Sequence, residues 1–285
     1  MPTTKWLLLG SILAGCAPTM NSSEPTDEVP AQQAKPIPGA RMNLAYGKDP
    51  LQALDLYVPE KAKGGPLVVF VHGGAWQSGS RHEYDAACAA LNKRGIASAT
   101  VDYRLSPAVA HPSHAHDVAD ALAWLGTRSS EFGFDPKRIY VVGHSAGGHI
   151  AATIATDPTL LALAKPAGFV GLEGIYDIPD LAKRWPTYPD WFLNKAFGSD
   201  TTKWPKASPT QLDPVSRSPW LVVHSMDDEL VDSNQAVLFV LHLGQCGVKV
   251  DLLQPKGKRH FEVVSSLGKA EDEVTEAIVK FVMAS

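Results

Sequence analysis

The chain has 285 residues, of which 45% are hydrophobic and 20% are charged. This composition provides enough apolar surface for a buried core and excludes a chain that is disordered throughout. Lysines and arginines are scattered along the chain, and the formal net charge is −4. Because no basic surface is available to a phosphate backbone, we expect no nucleic-acid partner.

The N-terminus has the pattern of a bacterial export signal that ends at a cysteine. Lys5 precedes a mostly apolar stretch over residues 6–13, which is too short to span a bilayer. This stretch leads into Leu-Ala-Gly-Cys at residues 13–16, which resembles the lipobox of bacterial lipoproteins. The resemblance implies a signal peptide over 1–15 and a lipid on Cys16 that anchors the protein in the bacterial cell envelope, at the outer membrane or the periplasmic face. An ordinary secretory signal and a slightly apolar cytoplasmic N-terminus are the alternatives.

Changes in composition divide the rest of the chain. Residues 16–42 contain repeated prolines among polar residues and little that could be buried, which predicts a tether. Residues 43–285 alternate apolar, β-branched runs with helical patterns, which predicts one mostly parallel sheet with helices on both faces. Strands are predicted near 54–58, 67–71, 97–102, 139–143, 169–172, 220–224 and 248–253, and helices near 84–93, 113–128, 146–156, 233–243 and 269–282. Within this domain, residues 177–216 interleave prolines with aromatic residues, a composition typical of a cap or lid over a site.

A turn with the pattern Gly-x-Ser-x-Gly lies at residues 143–147. An apolar run precedes it and a helical pattern follows it, so the serine is predicted at the N-terminus of a helix. Such a sharp turn needs small neighbours, and the free N–H groups and positive dipole end of the helix can stabilise an oxyanion. The pattern therefore predicts Ser145 as a nucleophile, with a structural glycine-rich turn as the alternative.

A second glycine-rich loop, His-Gly-Gly-Ala-Trp at 72–76, follows the apolar run over 67–71. Ligands bind at the carboxyl edge of parallel sheets, and glycines there let backbone amides approach a substrate oxygen. We predict an oxyanion hole formed by the backbone amides of Gly73, Gly74, Ala75 and Ala146. Trp76 is predicted to form a wall of the substrate pocket, and His72 to shape the loop through hydrogen bonds.

These two loops resemble those of the α/β-hydrolase superfamily, and within it the esterases and lipases related to hormone-sensitive lipase. The Asp-Tyr-Arg-Leu-Ser-Pro stretch at 102–107 is similar to a further motif of that branch. Ala75 replaces the third glycine of the loop, and His-Gly-Gly-Ala-Trp is more similar to the loop of kynurenine formamidases. The segment 171–177, Gly-Leu-Glu-Gly-Ile-Tyr-Asp, also resembles that subgroup and the prenylcysteine methylesterases. The resemblance covers residues 43–283 and implies an α/β-hydrolase fold.

A serine hydroxyl needs a base and an orienting carboxylate, and the resemblance implies the chain order serine, acid, histidine. An acid-rich loop follows the strand predicted at 220–224. Asp228 is favoured there because His-Ser-x-x-Asp-x-x-Val is similar to the His-Gly-x-x-Asp-x-x-Val turn of the family, and Asp227 is the alternative. His260 lies in the loop after the last predicted strand. The predicted triad is therefore Ser145, Asp228 and His260.

The implied chemistry is acyl transfer in two steps, and it needs no cofactor. His260 takes the proton of Ser145, and water then hydrolyses the acyl-enzyme. We expect hydrolysis of carboxylic esters of small molecules. One alternative is arylformamidase-like hydrolysis of N-formyl aryl amides, although export disfavours an enzyme of the kynurenine pathway. Another is a non-catalytic binding protein on the hydrolase fold, although such a descendant would usually lack a member of the triad.

Besides Cys16, the chain contains Cys88 and Cys246. We expect both to be unpaired thiols, although an exported protein could pair them. No cluster of cysteines or histidines has the spacing of metal ligands, so the sequence predicts no metal site.

Overall fold

The computed structural model describes residues 37, 39–60 and 64–284, so the predicted signal peptide and Cys16 lie outside the described residues. The strands are β1 (Ala40–Ala45), β2 (Ala53–Tyr57), β3 (Gly65–Val71), β4 (Ala97–Val101), β5 (Phe134–His144), β6 (Gly168–Leu172), β7 (Trp220–Val223) and β8 (Val250–Leu253). They form an eight-stranded sheet in the order β1-β2-β4-β3-β5-β6-β7-β8. The pairs β1–β2 and β2–β4 are antiparallel, and the other neighbouring pairs are parallel. The prediction of a mostly parallel sheet is confirmed.

Helices connect the strands and cover the sheet. The α-helices are α1 (Asp85–Lys93), α2 (Ser113–Thr127), α3 (Ser129–Phe132), α4 (Ala146–Thr156), α5 (Pro158–Ala164), α6 (Ile178–Arg184), α7 (Asn194–Phe197), α8 (Asn234–Gln245), α9 (His260–Ser265) and α10 (Glu273–Ala284). Short 3-10 helices span Arg81–Tyr84, Thr201–Ala207 and Pro209–Gln211, and a π-helical turn spans Pro189–Leu193. Among the described residues, no helix has the length and apolar character needed to cross a membrane.

Side chains of the central strands alternate between two apolar layers. On β3, Leu67, Val69 and Val71 pack in a cluster that includes residues of α2, α4 and α8. Val68 and Phe70 pack in a second cluster with residues of α1, α9 and α10. Successive side chains of a strand point to opposite faces, so a sheet covered on both faces needs uninterrupted apolar runs. This requirement explains why such runs predict the central strands.

Several element boundaries differ from the sequence predictions: β5, predicted from residue 139, begins at Phe134, and β8, predicted from residue 248, begins at Val250. β1 begins at Ala40, so the sheet starts inside the segment predicted as a tether. The last helix is predicted from residue 269 but begins at Glu273. The reason is that Glu271 has a φ of 60°, a left-handed backbone that cannot belong to a right-handed helix. Asp272 then caps the helix by accepting the N–H of Thr275 at 2.8 Å.

Glycines let α4 pack directly against the strands that flank the turn after β5. A Cβ atom on Gly147 would lie 2.2 Å from the carbonyl oxygen of Val71, at the end of β3. A Cβ atom on Gly143 would lie 2.2 Å from the carbonyl oxygen of Gly147, and one on Gly148 would lie 2.9 Å from the Cα atom of Gly174. Any side chain at these positions would separate the helix from the sheet, so the motif glycines are a packing requirement.

Gly147→Ala is expected to lower the free energy of unfolding by about 2–3 kcal/mol, because the added methyl group collides with backbone atoms that cannot move independently. Gly126→Ala is the matched control within another helix, since its Cβ atom would meet only Ile139 Cδ1 at 3.9 Å. The control is expected to raise the free energy of unfolding by about 0.5–1 kcal/mol. Urea unfolding of both variants measures these changes, and equal stability of the two would contradict the packing requirement.

Candidate active site

The loops that follow β3, β5, β6, β7 and β8 lie at one edge of the sheet, because parallel strands place their carboxyl ends together. The loop 72–76 follows β3, Ser145 follows β5 and Glu173 follows β6. Asp228 lies in the loop after β7, and His260 begins α9 after β8. The topology therefore gathers residues that are far apart in the sequence.

Ser145 forms the turn between β5 and α4. It has a φ of 52° and a ψ of −116°, an uncommon conformation for a residue with a side chain. Its N–H donates to the carbonyl oxygen of Leu172 at 2.8 Å, and its carbonyl oxygen accepts the N–H of Gly148 at 3.0 Å. The hydroxyl makes no capping bond to α4. The turn is thus held by backbone bonds, and the side chain is left for other partners.

The loop 72–76 lies with its backbone against Ser145. A Cβ atom on Gly73 would lie 3.1 Å from Ser145 Cβ, so a side chain there would crowd the serine. The next three residues, up to Trp76, have φ values of 93°, 52° and 60°, all in the left-handed region. The turn and loop hydrogen bonds of the described residues use none of the four N–H groups predicted for the oxyanion hole. These amides are available to an oxygen of a bound ligand.

A buried polar network supports this loop. The hydroxyl of Tyr103 donates to the carbonyl oxygen of His72 at 2.9 Å, and the two rings stack with centroids 4.3 Å apart. His72 Nδ1 lies 2.8 Å from the carbonyl oxygen of Gly73, and because burial lowers the pKa of His72 a neutral ring makes this bond. Asp102 accepts the N–H of Arg81 at 2.6 Å and also pairs with its guanidinium group. His72 therefore shapes the loop, as the sequence predicts.

Asp228 and His260 are joined by a hydrogen bond of 2.7 Å between Oδ2 and Nδ1. The other carboxylate oxygen accepts the N–H groups of Leu230 at 2.8 Å and Val231 at 2.9 Å. Burial alone would raise the pKa of Asp228, but its bond to His260 and the charge there outweigh burial and hold the pKa below its ordinary range. The described residues thus include the hydrogen bond between Asp228 and His260. They include none between the Ser145 hydroxyl and His260.

The neighbouring acids of the same loop have other partners. Asp227 is exposed and accepts the N–H of Gly257 at 2.8 Å. Glu229 accepts the backbone N–H of His260 at 3.2 Å and does not reach the imidazole ring. Asp228 is therefore the acid of this loop whose carboxylate contacts the imidazole.

Sequence reasoning assigned no role to three buried residues of the site, namely His144, Glu173 and His224. His144 Nε2 lies 3.2 Å from the carbonyl oxygen of His260, and burial lowers the pKa of His144 to about 3. His224 Nε2 lies 3.2 Å from Glu173 and 3.5 Å from Asp228. Each of the three lies at or next to the carboxyl end of a predicted strand, which is the signal that could have identified them.

The segment 177–216 packs aromatic rings around Trp76. The buried Trp76 ring makes edge-on contacts with Phe197, at 4.8 Å between centroids, and with His149, at 5.1 Å. Phe192 packs at a tilt with its centroid 6.0 Å away. Because His149 lies one helical turn after the nucleophile turn, this cluster of rings packs beside that turn.

Two groups of side chains in the described part of the chain lie close enough to share a metal ion. They are Asp213, His242 and Cys246 in one place and Glu173, His224 and Asp228 in the other. In each group two residues lie four positions apart and the third comes from a distant part of the chain, which spacing cannot reveal. The expectation of no metal site stays a prediction. Cys88 and Cys246 are both free thiols, as the sequence predicts.

A strained serine between a buried strand and a helix, free backbone amides beside it, and an aspartate–histidine pair on later loops define an α/β-hydrolase. The predicted fold class is confirmed by the order and direction of the strands. Residues 54–243 match the family model described as BD-FAE. The chain belongs to the BD-FAE family.

Relatives of known name cover most of the chain. A kynurenine formamidase from Meyerozyma guilliermondii is 33% identical over 72% of this chain and 85% of its own length. A probable isoprenylcysteine alpha-carbonyl methylesterase from Oryza sativa subsp. japonica is 30% identical over 83% of this chain, which spans only 61% of that protein. Inhibited esterase B from Lactobacillus rhamnosis has a similar structure, with a TM-score of 0.74, 21% identity and 86% of both chains covered. This last likeness concerns the fold alone.

Proposed function

We propose that the protein is a serine hydrolase that cleaves carboxylic esters of small molecules through an acyl-enzyme on Ser145. The observation that carries the proposal is the strained Ser145 turn, which has free amides on one side and shares its sheet edge with the Asp228–His260 pair. The name of one relative, a probable methylesterase, supports ester substrates. The hydroxyl–imidazole bond is expected to form when substrate binds, since such bonds are often long in free enzymes.

In the proposed reaction, His260 Nε2 takes the proton of Ser145 while Oγ attacks the ester carbonyl carbon. Asp228 keeps Nδ1 of His260 protonated and stabilises the imidazolium ion. The proton then passes to the departing alcohol, which leaves the acyl group on Oγ. Water, activated by the same histidine, attacks the acyl-enzyme and releases the acid. The oxyanion formed in each step accepts hydrogen bonds from the amides of Gly73, Gly74, Ala75 and Ala146.

We further propose a compact acyl pocket. Trp76, Phe192 and Phe197 form a continuous aromatic wall beside the nucleophile turn. Each methylene group that fits such a pocket contributes about 0.8 kcal/mol of binding, whereas one that collides with the wall forfeits this and adds strain. Short acyl groups are therefore expected to react faster than long ones.

Hydrolysis of N-formyl aryl amides is the second candidate. Its support is the 33% identity to a kynurenine formamidase over 85% of that protein. The triad would serve either reaction, because the shape of the pocket rather than the triad selects the leaving group. The two candidates share one mechanism, so measured turnover of each substrate decides between them.

Parallel assays distinguish the candidates. The protein is expected to hydrolyse p-nitrophenyl acetate faster than p-nitrophenyl octanoate and faster than N-formylkynurenine. Ser145→Ala is expected to lower ester turnover by about three or more orders of magnitude and to abolish labelling by a fluorophosphonate probe. Full labelling of Ser145→Ala would place the nucleophile elsewhere. Faster turnover of N-formylkynurenine would favour the second candidate, and a rate that rises through octanoate and palmitate esters would contradict a compact pocket.

Asp228→Asn is expected to lower kcat by about 1,000-fold or more, because an amide no longer holds His260 in the tautomer that accepts the serine proton. Asp227→Asn is the matched control, because Asp227 bonds the backbone of Gly257 instead, and less than a threefold change is expected. Steady-state hydrolysis of p-nitrophenyl acetate measures both variants. Similar losses in the two would show that the acid is assigned to the wrong carboxylate.

We also propose that the chain is exported and anchored in the bacterial envelope by a lipid on Cys16. The support is in the sequence: Lys5, the apolar stretch over 6–13, the Leu-Ala-Gly-Cys segment and the proline-rich tether that follows. A tether of this kind would separate the hydrolase domain from the membrane surface.

Cells that express the protein are expected to incorporate labelled palmitate into it, and Cys16→Ser is expected to remove the label because the acylated thiol is lost. Cys246→Ser is the matched control and is expected to keep the label. Wild-type protein without incorporated palmitate would contradict the lipid anchor, and label retained by Cys16→Ser would place the lipid at another residue.

A further inference from the structure

Glu173 carries a buried carboxyl group that the mechanism above does not use. It follows β6 directly and is 0% exposed. Its φ is 48°, a left-handed conformation that is strained in a residue with a side chain. The N–H of Glu173 donates to the carbonyl oxygen of Val223 at 2.9 Å, which helps to hold this conformation. A long acidic side chain thus occupies a position that glycine would occupy without strain, and such strained residues cluster at functional sites.

The Glu173 carboxyl group lies beside Asp228 and His224. The N–H of Ser225 donates to Glu173 Oε1 at 2.9 Å. Glu173 Oε2 lies 3.2 Å from His224 Nε2, but this nitrogen also lies 2.9 Å from the carbonyl oxygen of Val231, to which it donates. Carboxyl oxygens of Glu173 and Asp228 lie within 4.8 Å of each other. Glu173 Oε2 is buried without a hydrogen-bond partner in the described structure, and the Asp228 carboxylate is an acceptor within 4.8 Å of the Glu173 carboxyl group.

Two ionised carboxylates are not stable at this separation in a buried site. Burial, and then the neighbouring Asp228, raise the pKa of Glu173, whereas Asp228 keeps the lowered pKa described above. The other titratable groups that face Glu173 supply no positive charge. Burial lowers the pKa of His224, Glu229 is a further acid, and burial raises the pKa of Tyr176. Glu173 is the member of the pair that retains its proton.

We propose that Glu173 is a positioning residue that, in its protonated form, donates a hydrogen bond to Asp228 and fixes the carboxylate that orients His260. The proposal rests on the proposed ester hydrolysis. The bond restrains rotation of the Asp228 carboxylate. With it, two side-chain donors, Glu173 and His260, stabilise the negative charge of Asp228. Glu173 acts through Asp228 and not on a reacting atom.

Two substitutions at Glu173 test whether its hydrogen-bond donor or its ability to ionise matters. Both keep a side chain at the same left-handed position, so they share its backbone strain. Glu173→Gln keeps an N–H donor for Asp228 but cannot ionise, whereas Glu173→Leu has a similar size and no donor. Glu173→Gln is expected to retain kcat for p-nitrophenyl acetate within about threefold of wild type, and Glu173→Leu to lose about tenfold or more. KM is expected to be unchanged in both, because Glu173 does not contact the substrate.

Two further readouts distinguish this role from a purely structural one. Wild-type kcat is expected to fall at alkaline pH as Glu173 ionises beside Asp228, and Glu173→Gln is expected to lack this fall. Infrared spectra of wild type at neutral pH are expected to contain the C=O stretching band of a protonated carboxylic acid, which disappears in Glu173→Gln. The band does not depend on turnover, so it reports on Glu173 even if the protein hydrolyses no ester.

Any of three results would overturn the proposal. Glu173→Gln could lose as much kcat as Glu173→Leu, the fall of kcat at alkaline pH could persist in Glu173→Gln, or the wild-type spectrum could lack the band. If Glu173→Leu fails to fold, the pH profile and the spectrum of Glu173→Gln still decide it. A wild-type protein that shows the band but neither ester turnover nor fluorophosphonate labelling would instead contradict the proposed function.

Discussion

The carbonyl oxygens of Val71 and His72 lie so close to α4 that a Cβ atom on Gly147 would be 2.2 Å from the first and 2.7 Å from the second. This contact between a helix backbone and the end of β3 sets the position of the N-terminus of α4. It thereby brings the loop 72–76 close to the first turn of α4. The left-handed Ser145 turn follows from it, because the chain must reverse sharply between β5 and a helix that lies directly on the sheet.

The polar groups of the site lie in a buried environment, where an unpaired charge is costly and a paired charge acts strongly. Asp228 meets this constraint by accepting two backbone N–H groups and the imidazole of His260. Asp102 meets the same constraint by pairing with Arg81, next to the loop 72–76. In both places, the bonds that satisfy a buried carboxylate also fix the geometry of a loop, so stability and positioning depend on the same contacts.

In the proposed function, different parts of the chain supply the catalytic groups and the walls of the acyl pocket. The groups proposed for catalysis lie at the ends of parallel strands, whose positions the sheet fixes. The aromatic wall comes largely from the segment 177–216, which packs on Trp76 and contributes nothing to the sheet. One arrangement of serine, histidine and aspartate can therefore be combined with different pockets. This division agrees with relatives named as a formamidase and as a methylesterase.

The sequence by itself determined the central strands, the α4 turn and the mostly parallel sheet, because apolar periodicity and the need for glycine at a tight turn are local properties. Spacing alone left Asp227 and Asp228 as alternatives, and only the tertiary structure decided which one contacts His260. Adjacent residues of a turn point in different directions, and their partners come from a different loop. The position of Glu173 after a strand was readable from the sequence, but its proximity to Asp228 was not, because it depends on β6 and β7 being neighbours in the sheet, a pairing that no local pattern encodes.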